Sequence, residues 1–413
     1  MTATPPLLPG DTDASGRPAT LGVMGGGQLG RMFVQAAQAM GFSTAVLDPD
    51  ADSPAGLISH HHIRCAYDDP KGLAQLAQCS DAITTEFENV PAPALASLAA
   101  LRPVAPGAAS VAIAQDRAAE KAHFERCAAD NDGVRPAPHA SIDTPEQLAA
   151  VADGLLPGIL KTARLGYDGK GQARVKDRAE LATAWDRLGR VPCVLERLMP
   201  LRGECSVIVA RGADDQCVSF PVQKNTHRDG ILAVTEVYEG AIDPALARRA
   251  QAATMAIARQ LGYVGVLCVE YFLVDDGRGG LDLVVNEMAP RPHNSGHYTQ
   301  NACDVSQFEA QVRAVAGLPL RTPVQHSPAI MLNLLGDLWF SPNARHARAS
   351  DTPVTPPWDE VLALPGTHLH LYGKASARPG RKMGHLNITG PTVAAVRDTA
   401  AKALALLGLP PLH

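Results

Sequence analysis

The chain has 413 residues, of which 46% are hydrophobic and 19% charged, with a formal net charge of -5 at pH 7. This length allows two or three domains, each with a buried core. The acidic balance, and the absence of any run of five basic residues, argue against a nucleic-acid-binding surface. The sequence has no apolar run long enough to span a membrane and lacks the pattern of a signal peptide. We therefore expect a cytoplasmic globular protein.

The chain begins with a segment that has no periodic apolar pattern, residues 1–19, so we expect a disordered leader without chemistry. Residues 20–107 then alternate strands and helices, which predicts a parallel, doubly wound α/β domain. Its predicted strands cover residues 19–24, 43–48 and 81–85, and a helical segment at residues 108–130 follows.

The middle and end of the chain have a mixed α+β pattern. We predict a catalytic domain over residues 108–317 and a small C-terminal domain over residues 318–413. In the middle region the predicted strands are residues 158–162, 193–197, 204–211 and 218–222, and the predicted helices are residues 145–153, 178–188 and 244–261. The eight cysteines are scattered without a C-x-x-C pair, which favours reduced core thiols over disulfides.

A glycine-rich turn follows the first predicted strand. Gly25, Gly27 and Gly30 match a G-x-G-x-x-G pattern, and Asp48 ends the next strand. This is the local fingerprint of a dinucleotide site, since glycines let a backbone approach a ligand and leave a helix N-terminus free for an anion. The same turn could receive any phosphate or polar head group, so both interpretations stay open.

A second glycine-rich segment, G-Y-D-G-K-G-Q at residues 166–172, follows a strand that ends near Lys161. Such a loop can close over a charged ligand, with backbone N–H groups and Lys170 facing phosphate oxygens. Lys161 could reach the same group as a point charge. The alternative is an exposed hairpin tip without a function.

A predicted hairpin places two carboxylates together. Residues 265–273 read as a strand, residues 275–280 have turn chemistry, and Glu270 and Glu287 are equidistant from the midpoint between Arg278 and Gly279. A symmetric hairpin would place these carboxylates opposite each other, about 5 Å apart at Cβ, and such a pair needs a cation. Mg²⁺ held by carboxylates and substrate phosphates fits this chemistry. One glutamate facing solvent, or an offset register, is the alternative.

Six strings taken together resemble one family. They are G-G-G-Q-L-G-R-M, T-E-F-E-N, G-Y-D-G-K-G-Q, G-Y-V-G-V-L-C-V-E, N-E-M-A-P-R-P-H-N-S-G-H, and H-L-Y-G-K with R-P-G-R-K-M-G-H-L-N. In this order, over about residues 20–410, the chain resembles the N5-carboxyaminoimidazole ribonucleotide synthase family of the ATP-grasp superfamily. The resemblance implies an ATP-grasp fold with a Rossmann-like N-terminal domain, a central ATP-grasp domain of two subdomains and a small C-terminal domain.

The resemblance also implies a function and its residues. It implies ATP-dependent carboxylation of 5-aminoimidazole ribonucleotide by bicarbonate in purine biosynthesis, by a homodimer. Glu270 and Glu287 would hold Mg²⁺. The implied nucleotide contacts are Arg117, Lys161, Gly166, Tyr167, Asp168, Gly169, Lys170, Gly171, Gln172, Glu196, Arg197, Leu198, Met199, Glu204, His227, Asn286 and Glu287. Similarity to the related formate-using transformylase implies that the ribonucleotide is held by Gln28, Leu29, Glu86, Asn294, Lys374, Arg381 and Lys382.

Three residues are expected to act in the reaction. Arg291 would hold bicarbonate and carboxyphosphate, because a planar fork of donors suits both anions. Asp168 could orient or deprotonate the substrate amine, and Lys374 belongs to a cationic clamp for the ribose phosphate. Leu165 and Lys224 depart from the family pattern and bear on loop dynamics.

Two other functions remain open at this stage. The nearest is another ATP-grasp ligase, such as a formate-dependent glycinamide ribonucleotide transformylase. The other is a nicotinamide oxidoreductase that uses Gly25 to Gly30 and Asp48. A non-catalytic nucleotide-binding regulator fits less well, because the metal carboxylates and the loop lysine are present.

Overall fold

The computed structural model describes residues 5–130, 133–166, 171–340 and 353–412. The N-terminal strands are β1 (Thr20–Met24), β2 (Ser43–Leu47), β3 (His61–Ile63) and β4 (Ala82–Thr85). The helices around and after them are α1 (Gln28–Ala39), α2 (Pro70–Cys79), α3 (Ala92–Ala99), α4 (Ala108–Ala114) and α5 (Arg117–Cys127).

The middle region holds most of the strands. They are β5 (Arg135–Pro136), β6 (His139–Ile142), β7 (Gly158–Thr162), β8 (Gln172–Val175), β9 (Cys193–Arg197), β10 (Leu201–Arg211), β11 (Cys217–Ser219), β12 (Gln223–Arg228), β13 (Ile231–Val237), β14 (Gly265–Asp275) and β15 (Leu281–Ala289). The helices are α6 (Pro145–Ala149), α7 (Arg178–Arg187), α8 (Pro244–Gln260), α9 (Thr299–Ala302) and α10 (Gln307–Ala316). The last elements are β16 (Ala329–Leu335), α11 (Trp358–Leu362), β17 (Thr367–Leu371), β18 (Lys382–Thr389) and α12 (Val393–Leu407).

The first sheet is parallel, as the alternation of strands and helices predicts. Its strand order is β3-β2-β1-β4. Strands β1, β2 and β4 are buried along their whole length, because α1 and α10 cover one face and α2 and α3 cover the other. The side-chain amide of Gln311 on α10 donates to the Thr84 hydroxyl at 2.8 Å. The N-terminal and middle regions therefore share a core.

Two further sheets build the rest of the molecule. A four-stranded antiparallel sheet has the order β6-β9-β7-β8 and packs on α6 and α7. The larger sheet has ten strands, in the order β17-β18-β16-β13-β12-β10-β14-β15-β5, with β11 beside β10. The C-terminal strands continue this sheet through the pairing of β13 with β16. The predicted domain boundaries near residues 107 and 317 remain a proposal, because a shared core extends across the first and the ten-stranded sheet extends across the second.

Three of the predicted elements differ clearly from the structure. The helix predicted over residues 145–153 ends at Ala149, and a separate 3-10 turn, Asp153–Leu155, follows. The helix predicted over residues 108–130 is two helices, because the Asp116 carboxylate accepts from the N–H groups of Ala118 and Ala119 and so starts α5 as a new helix. The strand predicted over residues 218–222 is wrong beyond Ser219. Pro221 has no N–H to donate to a ladder and separates β11 from β12.

The N-terminal leader also differs from its prediction. The described part, residues 5–19, lies against the folded body instead of being disordered. The Leu7 N–H donates to the carbonyl of Ala316 at 2.8 Å, and Arg17 donates to both carboxylate oxygens of Asp81. Such contacts with residues far along the chain cannot be predicted from a Pro-rich segment that has no apolar periodicity.

Two further expectations concern the cysteines and membrane-spanning segments. All eight cysteines are free thiols, as their scattered spacing predicts. Across the described parts of the chain, no helix is both long and apolar enough to cross a bilayer.

The ion pair that anchors the leader should contribute measurably to stability. Asp81→Asn removes the charge that accepts two bonds from Arg17 and one from the Thr20 N–H at 2.8 Å. We expect a loss of about 1–3 kcal/mol in the free energy of unfolding, measured by urea denaturation at pH 7. Asp186→Asn is the matched control, because its pair with Arg190 is exposed. Equal effects of both substitutions would contradict the anchoring role.

Candidate active site

The antiparallel hairpin of β14 and β15 carries the two predicted metal carboxylates. Its pairing runs regularly from the turn to Tyr271 opposite Val285. The register then shifts by one residue, which leaves Asn286 as a β-bulge. Beyond the bulge Glu270 lies opposite Glu287. A bulge of this kind re-aims side chains, and here it brings two acids face to face.

This register corrects one part of the sequence prediction and confirms another. Between the turn and the bulge, Asp275 pairs with Leu281, so that this part of the hairpin is centred on Arg278 and not on the predicted midpoint. The pairing of Glu270 with Glu287 is confirmed, because the bulge supplies the one-residue offset. Glycines and aspartates mark a turn, but they do not reveal a bulge several residues away.

The two carboxylates have different electrostatic surroundings. Burial and the facing Glu287 raise the pKa of Glu270. Burial would also raise the pKa of Glu287, but Arg117 and Lys161 hold it below the usual value. Arg117 donates from Nη1 to Oε2 of Glu287 at 2.8 Å, and Nε2 of His293 lies 3.5 Å from Oε1 of Glu270. The two carboxylates are thus only partly compensated, and the side chain of Glu270 is 13% exposed whereas that of Glu287 is 40% exposed.

This donor set suits a hard divalent cation. Both groups supply carboxylate oxygens, which Mg²⁺ prefers, and their mutual repulsion falls when a cation binds between them. Within the described residues, no cluster of three or more His, Cys, Asp or Glu residues has the geometry of a metal site. Phosphate oxygens and water are the further ligands that Mg²⁺ usually takes at nucleotide sites.

A buried group of opposite charges lies beside the carboxylate pair. Glu196 on β9 has one oxygen 3.1 Å from Nζ of Lys161 and the other 3.3 Å from Nζ of Lys121. Burial would raise the pKa of Glu196, but the two lysines lower it to about 2. Nζ of Lys161 also lies 3.5 Å from Oδ1 of Asn286. Glu196 thus holds two ammonium groups in place inside the protein.

Lys161, Glu196 and Asn286 line a cavity of about 470 Å³ between the four-stranded and ten-stranded sheets. Apolar side chains such as Leu198, Met199 and Phe272 form part of its wall. Among the residues predicted to bind the nucleotide or metal, the cavity is lined by Arg117, Lys161, Gln172, Glu196, Arg197, Leu198, Met199, Glu204, His227, Glu270, Asn286 and Glu287. The cavity combines a flat apolar wall with cations, as a nucleotide requires.

An imidazole at this cavity is paired with a carboxylate. Nδ1 of His227 lies 2.5 Å from Oε2 of Glu204. Burial would lower the pKa of His227, but the Glu204 carboxylate raises it above its ordinary value. His227 therefore suits an anionic ligand such as a phosphate.

The second glycine-rich loop is described only at its ends. Gly166 accepts a bond from Arg117 Nη2 at 3.3 Å, and the carbonyl of Gly171 accepts from the Thr162 N–H at 2.8 Å. Gly171 has a φ of 70°, which favours glycine. The predicted contacts Tyr167, Asp168, Gly169 and Lys170 lie outside the described residues.

A second cavity of about 340 Å³ opens between the first sheet and the segment after β15. Of the residues predicted to bind the ribonucleotide, it is lined by Gln28, Leu29, Glu86, Asn294 and Lys382. Asn294 is 7% exposed, and its Nδ2 atom has no hydrogen-bond partner among the described residues. A buried donor at a cavity wall fits a polar ligand.

Two predicted members of the phosphate clamp are placed differently. Lys374 and Arg381 lie outside the lining that the described residues give this cavity. Nζ of Lys374 donates to the carbonyl of Lys382 at 2.6 Å, and Nη1 of Arg381 donates to the carbonyl of Ser376 at 2.9 Å. Burial, then Arg381, lowers the pKa of Lys374 to about 8. Only Lys382 of the three cations reaches the cavity, because the other two bond within their own turn.

The first glycine-rich turn is occupied by the protein's own carboxylates. The N–H groups of Gly27 and Gly30 donate to the two oxygens of Glu86 at 2.8 and 3.0 Å. The Gly26 N–H donates to Asp48 at 2.6 Å. These bonds use the donors and the acid that a dinucleotide would need, so the nicotinamide interpretation of this turn is not supported. The glycines are required because side chains there would collide with their neighbours: a Cβ on Gly27 would lie 2.4 Å from Glu86.

Arg291 lies in a third, smaller cavity between the other two. This cavity of about 130 Å³ is lined by Arg291 together with Glu270, Glu287 and Arg117. Arg291 forms an ion pair with Glu88, which keeps its pKa raised although burial alone would lower it. The predicted anion-binding arginine is thus positioned by a neighbouring acid.

Several functional side chains were not assigned from the sequence. Glu88 follows Glu86 by two residues, and their spacing could have indicated two acids at one strand end. Glu120 and Lys121 follow Arg117 by three and four residues, which places all three on one helical face. His293 stands within the H-N-S-G-H string and lines all three cavities.

The two departures from the family pattern have local explanations. Leu165 has a φ of 60° and is 73% exposed, a backbone conformation that favours the glycine expected there. Lys224 pairs across the β12–β13 ladder with Glu236, at 3.4 Å. The effect of either residue on loop dynamics stays a prediction.

The fold and site together define an ATP-grasp protein. Residues 127–308 match the ATP-grasp domain model, residues 19–115 match the ribonucleotide synthetase preATP-grasp domain, and residues 329–399 match the phosphoribosylaminoimidazole carboxylase C-terminal domain.

Relatives with known names narrow this class to a family. The chain is 42% identical to an N5-carboxyaminoimidazole ribonucleotide synthase of Brucella melitensis, over 90% of this chain and 97% of the relative. It is 38% identical to the Bacillus subtilis protein of the same name, over 89% and 90%. The chain belongs to the N5-carboxyaminoimidazole ribonucleotide synthase family.

Solved structures agree with this assignment. A crystal structure of an N5-carboxyaminoimidazole ribonucleotide synthetase with ADP has a TM-score of 0.85 and 36% identity, over 98% of this chain and 99% of that one. The Aspergillus clavatus synthase in complex with ADP and the aminoimidazole ribonucleotide has a TM-score of 0.80 and 29% identity, over 95% and 99%.

The contact between the first glycine turn and Glu86 can be tested by one methyl group. Gly27 has a φ of -72°, which any residue adopts, so Gly27→Ala acts only through the collision of its Cβ with Glu86. We expect a loss of about 1–3 kcal/mol in unfolding free energy and weaker ribonucleotide binding. Gly154→Ala is the control, because its Cβ would meet nothing within 4 Å. Gly27→Ala with wild-type stability would show that Glu86 is not held at this turn.

Proposed function

We propose that this chain uses ATP and bicarbonate to carboxylate 5-aminoimidazole ribonucleotide on its amine, which gives N5-carboxyaminoimidazole ribonucleotide for purine biosynthesis. ATP-dependent carboxylation of this ribonucleotide is the activity of its family. The proposal adds the co-substrate bicarbonate, the residues and the route of the reaction.

The observation that carries the proposal is that the nucleotide cavity and the second cavity meet. His293, Asn294 and Lys382 line both of them. The cavity with Arg291 and the carboxylate pair lies at the same junction. A nucleotide in one cavity and a ribonucleotide in the other would therefore bring the γ-phosphate and the amine toward one small space. That space is suited to a small anion formed between them.

The reaction then has two steps. An oxygen of bicarbonate forms a bond to the γ-phosphorus of ATP while the bond to the ADP oxygen breaks, which gives carboxyphosphate. The substrate amine next bonds to the carboxyl carbon, or to carbon dioxide released from it. Inorganic phosphate leaves and the amine loses a proton. Catalysis here is mostly positioning and neutralisation of charge.

Different cations of the chain would neutralise different anionic groups. Lys161 and His227 face the nucleotide cavity, where they would neutralise phosphate oxygens. We assign Arg291 to bicarbonate and carboxyphosphate, because it lines the third cavity and its planar donors suit both anions. Asp168 remains the proposed group that orients or deprotonates the amine, and Lys374 a proposed neighbour of the substrate phosphate.

Mg²⁺ is the proposed metal, held by Glu270 and Glu287 with phosphates of the nucleotide. When bound, it would neutralise charge that develops on the phosphates. Arg117 donates to the Glu287 carboxylate and would hold it in place for the metal. We further propose that the enzyme works as a homodimer in the cytoplasm.

The substrate requirement of ATP turnover is the direct test. We expect ADP release from magnesium ATP to depend on 5-aminoimidazole ribonucleotide, and the carboxylated product to form only when bicarbonate is restored to stripped buffer. ADP release stimulated instead by glycinamide ribonucleotide and formate would favour the transformylase. A shift of NADH fluorescence on binding would favour an oxidoreductase.

The metal assignment is tested by Glu287→Gln. The amide keeps the shape and can still accept from Arg117, but it loses the charge that a cation needs. We expect turnover to fall roughly a hundredfold or more while the far-ultraviolet circular dichroism spectrum stays unchanged. Glu125→Gln is the matched control, because Glu125 pairs with Arg135 on the exposed side of α5. A Glu287→Gln protein with the wild-type rate would refute the assignment.

A further inference from the structure

The bulge at Asn286 needs support from outside its own hairpin. Without the extra residue the regular register would continue, and Glu270 would face Asn286 instead of Glu287. On the other side of β15, strand β5 pairs only with Val284 and Val285. The edge of β15 from residue 286 onward is therefore left without a strand partner among the described residues. Buried main-chain groups at such an edge must find other partners.

Helix α5 supplies those partners. Nζ of Lys121 donates to the main-chain carbonyl of Asn286 at 2.7 Å. The N–H of Met288 donates to Oε1 of Glu120, also at 2.7 Å. The two bonds hold the main chain on both sides of Glu287.

The side chain of Glu287 is held by the same helical face. Arg117 contacts its carboxylate, and Arg117, Glu120 and Lys121 are spaced i, i+3 and i+4 along α5. This spacing places the three side chains on one face of the helix. One turn of α5 thus contacts three consecutive residues of β15.

Burial makes this arrangement specific. Lys121 is 0% exposed and Glu120 is 2% exposed. Burying an ammonium group is costly unless it is paired, and Glu196 compensates Lys121 at 3.3 Å. A buried pair of polar side chains aimed at one main-chain segment serves the geometry of that segment.

We propose that Glu120 and Lys121 are positioning residues, which hold the bulge at Asn286 so that Glu287 stays opposite Glu270. The inference rests on the proposed role of these two carboxylates as the metal ligands. Neither Glu120 nor Lys121 lines the nucleotide cavity that the described residues form, whereas Glu120 borders the third cavity. Their two bonds to β15 go to its main chain, so the proposed effect on Glu287 is one of backbone position.

The test compares metal affinity with nucleotide affinity. Mn²⁺ serves as the probe, and its free concentration is measured by electron paramagnetic resonance in the presence of ADP and full-length protein. For Glu120→Leu we expect at least about tenfold weaker Mn²⁺ binding, as for the loss of other groups that orient metal ligands. Binding of ADP with EDTA present, measured by calorimetry, should change less than about threefold, since the cavity walls are not altered.

Two variants control for general damage. Glu120→Gln should restore Mn²⁺ affinity to within about threefold of the wild type, because its amide oxygen can accept from the Met288 N–H. Glu125→Leu, on the exposed side of the same helix, should leave both affinities unchanged. A Glu120→Leu protein that binds Mn²⁺ as tightly as the wild type would overturn the proposal.

Glu287→Gln separates this inference from the proposed function. If Glu287→Gln weakens Mn²⁺ binding and Glu120→Leu does not, the positioning role of Glu120 is wrong and the metal assignment stands. If neither variant weakens Mn²⁺ binding, the metal assignment itself fails, and the positioning role fails with it.

Hydrogen exchange of the wild-type protein provides a measurement that needs no variant. Overlapping peptides that resolve the Met288 amide should show slow exchange, although this edge lacks a strand partner in the described structure. Exchange of that amide at the rate of an unprotected amide would mean that its bond to Glu120 does not persist, and would overturn the proposal.

Discussion

The site depends on two carboxylates that face each other across an antiparallel ladder. Like charges directly opposite one another destabilise a sheet, and the low exposure of Glu270 increases the cost because little water screens its charge. The protein compensates one of them with Arg117 and leaves Glu270 with a raised pKa. A cation bound between two such carboxylates would reduce this repulsion.

Local pairing of opposite charges also explains how an acidic protein can bind two anionic substrates. Three cations at the cavities are buried or half-buried, and each is paired with an acid. Glu196 holds Lys161, Glu204 holds His227, and Glu88 holds Arg291. Net charge describes the surface as a whole, whereas binding depends on these local pairs.

Features that depend on neighbouring residues could be predicted from the sequence, whereas features that depend on residues far apart in the chain could not. Local periodicity predicted the parallel first sheet and strands such as β7 and β9 with their bounds, because it reports which face of an element is buried. It also paired Glu270 with Glu287. It did not reveal the bulge, the contacts of residues 5–19 or the bond from Lys121 to β15, since each depends on a partner far away in the chain. Lys374 and Arg381 lie outside the lining that the described residues give the second cavity, and a cluster of cations in sequence does not show which of them bond within their own turn.

The first glycine turn shows how a correct local motif can indicate the wrong ligand. A helix N-terminus and its glycines accept any group that carries negative charge, whether it is a phosphate or a carboxylate of the same chain. Here Glu86 takes the bonds of Gly27 and Gly30, and Asp48 takes that of Gly26. Burial raises the pKa of Glu86, and the two N–H groups act against that shift. The turn therefore fixes an acid at the wall of the second cavity, where a ligand with a hydroxyl or amine could meet it. In this protein the N–H groups of the glycines hold an acid of the same chain at a cavity wall, so that the local motif alone does not identify a dinucleotide site.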